Sequence, residues 1–192
     1  MDRQPVLEGE RLVLRPLVAD DWEELYALAS DPKLWELHPV SNRWQEPVFR
    51  AFFDEALSDG GALVAVDKTS GALAGSSQYR GFDPEASQVE IGWTFLGRNH
   101  WGGDTNREMK RLMIGHILQW ADTVWFHVGV ENRRSRRAME KIGGVLFHIT
   151  GKELYGKVTE MAFYRIGREC PLLNEGVRTS PGNPVADPGA GR

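Results

Sequence analysis

Two short stretches hold the residues whose types and spacing suit chemistry. The first, His100-Trp101-Gly102-Gly103-Asp104-Thr105-Asn106-Arg107, leads into an amphipathic segment with Lys110 and Arg111 in its first turns. The first turn of a helix presents backbone N–H groups without intrahelical partners, and the helix dipole adds partial positive charge there. Gly102 and Gly103 let a ligand approach the backbone, and Asp104, Thr105 or Asn106 could cap the helix. The natural guest of such a turn is a phosphate. The alternative is a glycine turn followed by a solvated basic helix face. The second stretch is Val128 to Gly144, VGVENRRSRRAMEKIGG, in which a strand ends, Asn132 offers a cap and four arginines follow. Ser135 lies one turn after Asn132, so their side chains can converge. For Arg134 a solvated helix face is the preferred reading.

Other reactive side chains are few. Glu90 lies on the strand before the phosphate turn and shares a face with Gly92 and Thr94. It is a candidate general base acting through a water, with a solvent-facing strand carboxylate as the competing reading. His127 alternates with Trp125 and reads as a packed strand histidine; His100 reads as structural, and His38 stays open. Cys170 is the only cysteine, which excludes an intrachain disulfide and a cysteine-rich zinc site, and no metal is expected.

These groups need a scaffold, and the pattern supplies one. Leu7–Leu17 alternates as a first strand. Asp20, with Glu23 three residues on, resembles a capping box for a helix over 21–29. Residues 45–58 form a second long helix with an apolar face of Val48, Phe49, Phe52, Phe53, Ala56 and Leu57. Strands at 62–67 and 72–78 form a hairpin, 81–86 is a polar turn, and 88–95 is a strand with Val89, Ile91, Trp93 and Phe95 on one face. A helix from about 105 to 121 crosses over to a strand at 122–130, a right-handed parallel unit. A helix over 132–142 ends at Gly143-Gly144, and strands at 145–150 and 157–166 close the fold. The prediction is an α/β (α+β) domain: a mixed, mostly antiparallel sheet of about six or seven strands with helices on both faces. One domain spans 1–170, and 171–192 is a Pro/Gly-rich, weakly packed tail.

The 192-residue chain is 41% hydrophobic and 26% charged, with a net charge of −4, so no overall basic footprint marks a nucleic-acid protein. No apolar run approaches a membrane span, and no signal-peptide region opens the chain, so a cytoplasmic location is the expectation.

WTFLGRNHWGGDTNREMKRLM followed by WFHVGVENRRSRRAMEKIGG resembles the GNAT superfamily of N-acetyltransferases, and within it the Rim-type branch that acetylates ribosomal-protein N-termini. The aromatic-Trp-Gly turn with a later Glu is matched by His100, Trp101, Gly102 and Glu108; the Asn-basic-Ser-Ala pattern is matched by Asn132, Arg133, Ser135 and Ala138. The resemblance covers roughly residues 7–167. It implies an acyl-CoA N-acyltransferase-like fold, acetyl-CoA as cosubstrate, and transfer to a primary amine of a small molecule, peptide or protein. It further implies that Trp101, Gly102, Gly103, Asp104, Thr105, Asn106 and Arg107 hold the pyrophosphate. A bulge near Phe95 and Leu96 binds the pantetheine, Arg98, Arg107 or Arg137 pairs with phosphates, and Asn132 and Ser135 lie by the thioester, with Ser135 protonating the thiolate. One departure stands out. The two later small positions of the turn are Asp104 and Asn106, and a carboxylate beside a pyrophosphate is adverse unless it caps the helix or points to solvent. A non-catalytic coenzyme A- or nucleotide-binding regulatory module on the same fold is the rival reading, and a homodimer is open. Trp35, Trp44, Phe49, Phe53 and Tyr79 are candidate linings of an acceptor cleft, with the core as the preferred place for most of them.

Overall fold

The computed structural model describes residues 1–154 and 156–174. Among them, eight strands form one sheet in the order β1-β2-β3-β4-β5-β6-β8-β7. They are β1 (Leu7–Glu8), β2 (Leu12–Pro16), β3 (Ala62–Asp67), β4 (Leu73–Asp83), β5 (Gln88–Leu96), β6 (Thr123–Gly129), β7 (Val145–Leu154) and β8 (Lys157–Ile166). Every pairing is antiparallel except β5 with β6. The mixed sheet agrees with the sequence pattern; the strand number exceeds it because Leu7–Leu17 is not one strand. Gly9 turns the chain back, and the Glu108 carboxylate accepts the freed N–H groups of Arg11 (2.9 Å) and Leu12 (3.2 Å). A Cβ on Gly9 would lie 2.1 Å from that carboxylate, so a larger residue there would displace the Glu108 side chain.

Helices α1 (Trp22–Ala29), α2 (Pro32–Trp35) and α3 (Glu46–Asp59) cover one face of the sheet. Trp22, Leu25, Phe49 and Phe53 pack there on Val64, Leu73 and Phe95. Helices α4 (Thr105–Ile117) and α5 (Arg133–Lys141) cover the other. Met109, Met113, Ile117, Met139 and Ile142 pack there on Leu63, Val89, Ile91, Val124 and Phe126. Each large apolar side chain buried this way contributes about 1.5–3 kcal/mol. The start of α1 is held by Asp21 rather than Asp20: its buried carboxylate accepts the Val18 N–H and two bonds from Arg15. The expected turn at 81–86 lies later, because β4 continues to Asp83, which caps the turn by accepting the amides of Glu85 and Ala86. Residues 171–174, expected in the tail, form a short 3-10 turn with Leu172 buried in the core. The rest of that expected tail, 175–192, lies outside the described residues.

Candidate active site

The site begins with one extra residue in β5. Gln78 of β4 stands opposite Gly92, and Ser76 opposite Phe95, so β5 spends three steps where β4 spends two. The bulge centres on Trp93, whose φ of 51° is left-handed, a conformation costly for an aromatic residue. It inverts the alternation beyond it. Phe95, expected beside Val89 and Ile91, packs instead with α1–α3, and Leu96 takes the α4 face. The bulge therefore lies slightly earlier than Phe95-Leu96. Pairing of β5 with β6 ends at Glu90 opposite Trp125. Beyond that point a cleft of about 940 Å³ opens.

The turn into α4 forms one wall. Gly102 has φ 76°, and Glu108 is the first donor into the helix, bonding to the Asp104 carbonyl at 2.8 Å. The amides of Thr105, Asn106 and Arg107 precede it, so they have no i−4 acceptor within the helix. Asp104 does not cap the helix with its side chain. Its carboxylate lies 3.3 Å from Arg11, and both groups are largely exposed. The adverse charge is thus directed to an arginine. Trp101 is fixed by its indole N–H, which donates to the Leu96 carbonyl at 3.0 Å. Phe95, Leu96, Trp101, Gly102, Gly103, Asp104, Asn106 and Arg107 all line the cleft; Thr105 and Arg98 do not. Arg98 is paired with Asp31. Arg107 donates to the Lys141 carbonyl at 2.8 Å, tying α4 to the end of α5.

The N-terminus of α5 forms the opposite wall. Asn132 is buried, and its Oδ1 accepts the Ser135 N–H at 3.2 Å. The convergence is side chain to backbone, so Asn132 is the helix cap and the Ser135 hydroxyl stays available. Arg133, Ser135 and Arg137 line the cleft. Arg134 is not a solvated surface residue: it stacks 3.8 Å over the Trp101 ring and donates to the Leu34 carbonyl at 3.0 Å, bridging the two walls. Arg136 is bonded to the Tyr164 hydroxyl at 3.0 Å.

Glu90 and His127 stand where the strands part. Oε1 of Glu90 lies 2.9 Å from Nδ1 of His127. The contact is off the line of a hydrogen bond, so that nitrogen is buried without a hydrogen-bonding partner among the described residues. Both residues line the large cleft and also a second cavity of about 350 Å³, walled by Trp125, Phe147, His148 and Phe163. The two imidazoles of His127 and His148 each lie 4.3 Å from the Phe163 ring. Sequence reading missed this aromatic wall. The signal was there in part: β6 alternation puts Trp125 and His127 on one face, but only the parallel register sets that face beside Glu90. Of the expected acceptor aromatics, Trp35 lines the large cleft, Phe49, Phe53 and Tyr79 are core residues, and Trp44 lines neither cavity. His38 lines the cleft, and burial pushes its imidazole down to about 3, so it stays neutral and only weakly basic at neutral pH. Lys110 is not a surface cation by the phosphate turn; it is 1% exposed and faces the sheet.

A family model for the acetyltransferase (GNAT) domain matches residues 11–145. The chain belongs to the GNAT acetyltransferase family. The matching family is one of acetyltransferases. No curated protein matches its sequence. Among solved structures, a GCN5-related N-acetyltransferase from Brucella melitensis is similar at 22% identity and TM-score 0.77, covering 85% of this chain and 79% of that one. A spermidine N-acetyltransferase from Vibrio cholerae, solved with CoA and spermine, is similar at 16% identity and TM-score 0.63, covering 83% and 96%. The microcin C7 self-immunity acetyltransferase MccE, solved with acetyl-CoA and AMP, is similar at 17% identity and TM-score 0.70, covering 86% and 98%. Among the described residues no group of acidic, histidine or cysteine side chains could hold a metal ion, and no helix is long and apolar enough to cross a membrane.

Proposed function

We propose that this GNAT enzyme transfers the acetyl group of acetyl-CoA to a primary amine, on a small molecule or at a protein or peptide N-terminus, by direct attack in a ternary complex. The carrying observation is the opening between β5 and β6, walled by the N-termini of α4 and α5, with Glu90 at its other mouth. The two helix starts fit an anionic, elongated coenzyme. The early amides of α4, Gly102 and Gly103 suit the pyrophosphate, and Arg137, which has no ion pair among the described residues, suits a further phosphate. The backbone at Phe95 and Leu96, past the bulge, suits the pantetheine amides. Acetyl-CoA supplies an activated acyl carbon. Glu90 accepts the amine proton through a water, with His127 next in line, and Ser135 returns a proton to the sulfur. The aromatic wall of the smaller cavity suits the acceptor, because aromatic faces attract an ammonium. The Rim-type branch is the reading its two motifs support. The non-catalytic alternative is not favoured, since Asp104 is turned toward Arg11 and the Asn132–Ser135 start of α5 is intact.

Isothermal titration with acetyl-CoA, followed by a transfer screen over peptides, polyamines and amino-containing drugs, tests the proposal. Binding with turnover on one acceptor class is expected. No binding at millimolar coenzyme refutes it. Binding without turnover, unchanged in Ser135→Ala, favours the regulatory reading.

A further inference from the structure

Lys110 sits on the second turn of α4, pointed at the sheet where β5 and β6 part. Its Nζ donates to Ser77 Oγ of β4 at 3.0 Å and to Thr94 Oγ1 of β5 at 2.6 Å, and it lies 5.5 Å from the centre of the Phe126 ring on β6. It is buried yet lines the cleft. No carboxylate among the described residues pairs with it, and burial alone pushes its amine down to about 7. An ammonium has three donors, and the described residues accept from two.

The fold does not need this charge. Ser77 and Thr94 bond each other at 2.8 Å, and both lie within reach of the Gly92 carbonyl, at 3.4 and 3.3 Å, so their hydroxyls stay satisfied without the lysine. A buried cation without a counterion is a stability cost that an apolar side chain of similar length would remove. Lys110 also lines the cleft that opens where the two strands part. Glu90 and His127 approach that opening from the α1–α3 face, and Lys110 approaches it from the α4 face. A reaction centred in the opening would have its base on one side and the Lys110 amine on the other.

We infer that Lys110 is the anion-stabilising residue of acyl transfer, its ammonium facing the coenzyme sulfur from the α4 side. The inference rests on the transferase reading. Glu90 takes the proton of the amine as the N–C bond forms. Lys110 holds positive charge where the electron pair of the breaking C–S bond collects. Ser135 relays a proton from solvent to the thiolate, so its own hydroxyl is restored as the thiol is completed. Fixed charge aimed at a developing anion in a water-poor site is an effective form of stabilisation.

The test compares coenzyme A with desulfo-coenzyme A on the full chain and on Lys110→Met, by titration calorimetry and thermal melting. Lys110→Met is expected to melt at or above the wild-type temperature. Its affinity for coenzyme A should fall about tenfold, while its affinity for desulfo-coenzyme A changes less than about twofold. Equal affinities for both ligands, or an equal loss for both, overturns the inference. Should the variant not fold, 13Cε-labelled lysine in the wild-type chain decides: the Lys110 signal should move with coenzyme A and stay put with desulfo-coenzyme A, and identical shifts overturn the inference. A wild-type chain that binds neither ligand removes the transferase reading itself; one that binds both, with Lys110→Met indistinguishable from it, removes only the role of the lysine.

Discussion

Asn132 joins stability and chemistry in one side chain, and two substitutions separate them. Its Oδ1 is spent on the Ser135 N–H at 3.2 Å, so only the amide NH2 is left for a ligand in the cleft. Asn132→Ala removes the cap, which costs about 1 kcal/mol within a range of roughly 0.5–2. For a chain of this size that lowers Tm by about 2–4 °C per kcal/mol. Asn132→Ser keeps a capping oxygen of similar strength, so its Tm should stay within about 1–2 °C of wild type. Both variants lack the NH2 donor, and both should lose about tenfold in kcat/KM. The assays are thermal denaturation and steady-state acetyl transfer on the acceptor found by the screen. Wild-type kcat/KM in Asn132→Ser would show that Asn132 is a cap and nothing more. An unchanged Tm in Asn132→Ala would refute the cap.

Three further outcomes follow from the same geometry. Glu90→Gln should lower kcat by about 10²–10⁴-fold and leave coenzyme affinity within about twofold; a wild-type kcat removes Glu90 as the base. Asp104→Ala should change stability by less than about 0.5 kcal/mol, because its pair with Arg11 is exposed, and coenzyme affinity should hold or rise; a loss beyond about threefold would show that the carboxylate assists binding. His38 is held neutral by burial, down to about 3 from 6.5. The unfolded chain therefore takes up a proton near 6.5 that the folded chain refuses, and the contribution of His38 is present above 6.5 and lost as pH falls toward 3. Between pH 7.5 and 5 the wild type should lose about 2 kcal/mol more than His38→Gln, measured by urea unfolding; parallel curves would contradict the burial argument.

Element order was legible because it is written in local patterns. Alternation marked β3, β5 and β6, and helical spacing marked α1, α3 and α4. The glycine turn before α4 and Asn132 before α5 were also local signals, so both walls of the cleft were found without tertiary information. Where a local pattern was completed from a distance, the reading failed. The first strand broke at Gly9 because a carboxylate 97 residues later accepts its turn amides. Asp21, not Asp20, anchors the start of α1, because Arg15 on β2 reaches it.

The sequence by itself determined the elements, their faces up to Trp93, and the two helix starts that mark an anion cleft, since periodicity and capping act within a turn or two of the chain. Only the tertiary structure decided the face of Phe95, the pairing of Asp104 with Arg11, the burial of Lys110 between Ser77 and Thr94, and the meeting of Glu90 with His127. A one-residue bulge reverses every side chain after it, and a parallel crossover sets the register between residues 35 positions apart, Glu90 opposite Trp125. Neither leaves a periodic trace in the residues it brings together.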